Sequence, residues 1–303
     1  MKKTTVVVLA VVLLVLGGGG VAWWSRRRAA AGDAGKAATA TGDAGVIPPP
    51  SIAIRPPRAA FPPATTAADR MARADKIRRD YDEMTAKFSA DYAAAGAAFP
   101  GGLNAYLQQL ALLEREKHKD LAALLSPREL EDLEMRTTNA GGAVQRQLGD
   151  TAATDEQRRA AFRIEKEFED EFALTFDTAP AALYARESAR QAAQQKIRAV
   201  LGDELFGSWL RGEGADYEAF VAYQQQQGLA PGVALDLWRV KSDFVLARLQ
   251  LKARTDLAPG QLRDAERLLI SQTVTRVTGL IGSTAVNGAG RNVLSWLPLP
   301  PMK

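Results

Sequence analysis

From Thr66 to Leu297 apolar side chains recur every three or four positions, and no stretch longer than a few residues alternates with period two. That spacing puts apolar residues on one stripe of a helix and leaves nothing to build a half-buried strand. Met71, Ile77, Tyr81, Met84, Phe88 and Tyr92 lie on one such stripe, which Pro100-Gly101-Gly102 ends. A second helix carries Leu103, Tyr106, Leu107, Leu110, Leu113 and Leu121. The expected fold is all-α, with about eight helices in a body spanning residues 66–297 and a flexible tail over 298–303. A body of that size is long enough to bury a core.

Helix starts are written locally. Ser126, Pro127 and Glu129 supply a cap, a first-turn proline and the return carboxylate of a capping box, with Leu125 and Leu130 placed as a hydrophobic staple. Thr154 and Gln157 form a second box, opening a helix over about 158–176 with Phe162, Phe168, Phe172 and Phe176 as its expected core side. Thr137-Thr138-Asn139 and Gly141-Gly142 read as a turn, Gly202-Asp203 as an interruption, and Pro231 and Pro259 as helix openers.

Ahead of the body stand two segments of different character. Residues 4–24 are uncharged, 21 in all, behind Lys2 and Lys3 and ahead of Arg26, Arg27 and Arg28. A helix of that length just crosses a hydrocarbon core of roughly 30 Å, and Trp23 and Trp24 suit its interface. Residues 1–24 are therefore expected to be a transmembrane anchor, with the amino terminus in the cytoplasm and the body periplasmic or extracellular. The alternative is a secretory signal cleaved near Ala22, since Gly20-Val21-Ala22 is a small-x-small site behind an apolar run. Residues 25–65 are rich in Ala, Gly and Pro, with Pro48-Pro49-Pro50, Pro56-Pro57 and Pro62-Pro63, and are expected to be a disordered tether.

Charge excludes one function class. The formal net charge is +4, and the five cations flanking the apolar segment account for more than all of it; the rest carries 34 basic against 35 acidic residues. No domain-wide basic footprint for nucleic acid remains. With no cysteine and one histidine, thiol chemistry and a transition-metal site are not expected. His118 sits in a charged helical run without a partner motif and reads as a solvated helix residue. No phosphate loop or dinucleotide fingerprint is present, so no catalytic residue, cofactor or metal ligand is assigned. The acidic cluster Glu165, Glu167, Glu169, Asp170 and Glu171 reads as a solvated face; a hydrolase would need one of its glutamates in a closed cleft.

Leu257-Ala258-Pro259-Gly260-Gln261-Leu262 resembles the Leu-Thr-x-x-Gln signature of the periplasmic CpxP/Spy-type stress proteins, with Ala258 in the threonine position. Thr154-Asp155-Glu156-Gln157 is a partial second echo, with Ala153 where leucine is expected. That resemblance implies a small helical, chaperone-like module. The blocks Leu125–Arg136, Phe162–Phe172 and Leu201–Phe206 are similar to membrane-anchored all-helical bacterial proteins of the Verrucomicrobia type, a likeness that covers most of the body and carries no activity over. The expectation is a membrane-tethered, non-enzymatic binding or adaptor module with a protein partner in the envelope. The alternatives are an envelope hydrolase using a carboxylate of the 165–171 cluster, and an oligomerising spacer pairing through residues 71–92.

Overall fold

The computed structural model describes residues 66–299 except Phe176 and Asn287, so the anchor, the tether and the chain end at 300–303 lie outside the described residues. Ten α-helices and no strand occur among the described residues. The all-α expectation holds, with more helices than the eight expected. No helix among them is long and apolar enough to cross a membrane. The described residues divide into two compact units, one comprising 66–139 with 173–175, the other comprising 140–172 with 177–299.

The first unit is a helical hairpin with a short helix at one end. Helix α1 (Ala67–Ala95) starts at Thr66, whose hydroxyl accepts the Asp69 N–H, and α2 (Gly102–Leu124) returns beside it. Tyr81 donates to Asp120 across the pair at 2.8 Å, and the Tyr92 and Tyr106 rings stack at 4.2 Å. These contacts place the apolar face of α1 against α2 of the same chain. Helix α3 (Pro127–Thr137) has the expected capping box, and Leu125 and Leu130 are both buried beside Ala74, Leu121 and Leu133. Arg70 and the Ser126 groups donate to Glu129 and hold its carboxyl down at about 2, so that corner stays ionised far below the ordinary glutamate range.

The second unit contains α4 (Asn139–Leu148), α5 (Asp155–Phe172), α6 (Pro180–Glu213), α7 (Ala215–Gln226), α8 (Val233–Ala253), α9 (Pro259–Ile281) and the one-turn α10 (Ser283–Val286). The expected turn at Gly141-Gly142 is helix instead. Both glycines lie inside α4, whose first turn is held by the Glu169 carboxylate accepting the Ala140 N–H at 2.9 Å. Helix α5 ends at Phe172 rather than 176, and α8 opens at Val233 rather than Pro231. In the latter case Gly232 turns the chain at φ +93° and Gln224 of α7 caps the Ala234 N–H.

Helix α6 reverses at Gly202, where φ is +75° and ψ 170°. Residues 180–201 and 203–213 therefore run as two antiparallel arms, and the sequence interruption at Gly202-Asp203 marks the bend. The short arm carries Phe206, Trp209 and Leu210, which are fully buried, as are Phe220, Leu237, Phe244, Val277 and Leu294 elsewhere in the unit. Burying an aromatic of this size contributes roughly 4–6 kcal/mol before entropy is counted.

The bend generates a prediction. No atom stands within 4 Å of a Cβ built at Gly202, so Gly202→Ala costs only the backbone strain of a conformation reserved for glycine. Urea unfolding should show a loss of about 1–3 kcal/mol. Gly279→Ala, in the last turn of α9 with equally open space, should gain at most about 0.5 kcal/mol in the same measurement.

Candidate functional site

Helix α5 carries its glutamates on two rows. Glu165 follows the buried Phe162 at i+3 and Glu169 follows Glu165 at i+4, whereas Glu167 and Glu171 form a separate row. The structure separates the rows accordingly: Glu165 is buried and Glu169 half-buried, while Glu167 and Glu171 are exposed. The expectation of one solvated acidic face therefore fails at Glu165, because its helical phase is that of the core. Phe162 is core, Phe168 and Phe172 are half-buried and stacked at 5.3 Å, and Phe176 lies outside the described residues.

Glu165 meets Arg190 of the long α6 arm. Arg190 Nη1 donates to both Glu165 oxygens at 2.7 Å, and Nη2 donates to Glu213 Oε1 at 2.7 Å. Arg190 stands twelve residues before Gly202 and Glu213 eleven after it, so the antiparallel arms bring them opposite each other. Trp209 Nε1 donates to Glu213 Oε1 at 3.0 Å and Gln194 Nε2 to Oε2 at 2.8 Å. The Phe168 ring covers the guanidinium at 4.9 Å. A third carboxylate, Glu187, accepts from Gln191, which also donates to the Ser242 carbonyl of α8 at 2.7 Å.

Three carboxylates around one guanidinium leave excess negative charge in a largely buried place. Burial pushes the Glu213 carboxyl up, against the pull of Arg190 and the donors Trp209 and Gln194, while the Glu165 charge pushes the same way as burial. Burial likewise pushes Glu187 up, offset in part by Gln191 and Arg190. Burial alone pulls Arg190 down, but the charges of Glu213 and Glu165 outweigh it and hold the guanidinium above its ordinary value. The inward-facing glutamates are committed to internal partners, Glu165 to Arg190 and Glu169 to the start of α4. The arrangement binds α5 to both arms of α6. Among the described residues no group of three or more side chains could hold a metal ion. His118 is half exposed, as its charged run suggests, and its Nδ1 lies 2.8 Å from Glu134, linking α2 to α3.

A second feature follows from helix registers. Arg190 with Glu165 and Gln157 with the Val200 carbonyl set α5 antiparallel to the long arm of α6. Gln191 with Ser242, together with Asp236 acting on Arg198, sets that arm antiparallel to α8, and Arg248–Glu266 at 2.7 Å with Arg276–Asp243 at 2.9 Å sets α8 antiparallel to α9. Packing runs from α5 to α6, from α6 to α8 and from α8 to α9, without α6 meeting α9, so α5, α6, α8 and α9 form a single layer among the described residues. At one end, α7 and the terminal turns carrying Leu294 and Leu297 cover the layer. At the other end no residue in 166–172, 177–192 or 245–272 is buried. Leu183 and Leu268, the latter 60 % exposed, both stand at this open end.

No family model, curated protein or solved structure matches the chain.

The buried knot predicts an inverted pH response. A glutamate whose folded pKa is raised contributes stability that is complete below its unfolded value, near 4.5, and lost as pH rises through the folded value. Glu213 and Glu187 both have this sign, so the second unit should lose thermal stability as pH climbs above about 4.5. The Trp209 indole N–H resonance should titrate in that range and stop titrating in Glu213→Gln. Arg190→Met strands two carboxylates and should cost roughly 3 kcal/mol at neutral pH, less in acid.

Proposed function

We propose that this chain is a membrane-tethered, non-enzymatic helical binding module of the cell envelope, with a protein partner and an adaptor or chaperone-like role. The observation that carries this reading is the open end of the α5–α6–α8–α9 layer. A helical layer buries its apolar stripes only when something covers it. Here Val245, Leu249, Ile270 and Val274 remain half-buried, and Leu183 and Leu268 are exposed. Apolar stripes left without a covering element are where a partner's apolar face is accommodated. The oligomerising-spacer alternative draws less support, because the α1 stripe it needs lies against α2. The tether rests on the uncharged run at 4–24 and its flanking cations.

Two measurements test this. A photo-crosslinking amino acid at position 183 or 268 of the full chain should give a discrete heavier adduct in the producing cell, and one at Asp75 on α1 should not. Equal labelling at all three positions, or none at 183 and 268, counts against a binding surface at the open end. Protease added to intact spheroplasts should digest the body while residues 1–22 remain attached to the membrane fragment. Protection of the body, or a product lacking those residues, overturns the outward tether.

A further inference from the structure

We draw no further inference here: the strongest candidate, the half-buried apolar side chains at the open end of the α5–α6–α8–α9 layer with the exposed Lys252 and Arg263 on its last two helices, carries nothing beyond the binding surface already described, because nothing in the structure shows what covers it.

Discussion

The second unit depends on the Arg190 guanidinium. It joins α5 to both arms of α6, and each bond is directional: one terminal nitrogen serves Glu165 and the other serves Glu213. An apolar cluster of the same volume could match it in free energy, because desolvating three carboxylates and a cation is costly. What apolar contact lacks is a register. A slip of α6 by one residue against α5 would leave a buried charge without its partner, whereas a slipped leucine finds another hole. The knot therefore fixes which arm positions face each other, and through Gln191 and the Ser242 carbonyl it extends that registration to α8.

From that registration the unequal stability of the layer follows. The covered end holds Trp209, Phe206, Phe220 and Phe244 essentially out of water, so it opens only with global unfolding. The open end, by contrast, relies on two-sided contacts between neighbouring helices and on surface ion pairs worth little individually. Regions of low burial and low local stability are where binding surfaces are drawn from. A rigid base carrying a loosely covered extension is a physical basis for docking without unfolding the body.

The sequence showed the local grammar and hid the long-range partners. The Ser126 and Thr154 boxes, the staple of Leu125 with Leu130 and the break at Gly202 were all legible, because each is decided within a few residues. The Gly141-Gly142 turn was misread because what holds those glycines in a helix is Glu169, twenty-nine residues away from Ala140. The start of α8 was misplaced for a similar reason, since its cap is supplied by Gln224. Glu165 was readable in part: its i+3 spacing from Phe162 gives its phase, yet charge composition alone puts it with Glu167. Its partners Arg190 and Glu213 could not be found without knowing that α6 folds back on itself.

The two kinds of charge in this unit do different work. At the knot, charge is buried and internally satisfied, so it fixes structure and offers nothing to a partner. At the open end, Lys252 and Arg263 are exposed and have no ion-pair partner among the described residues, so they cost little to keep and do nothing to fix the fold.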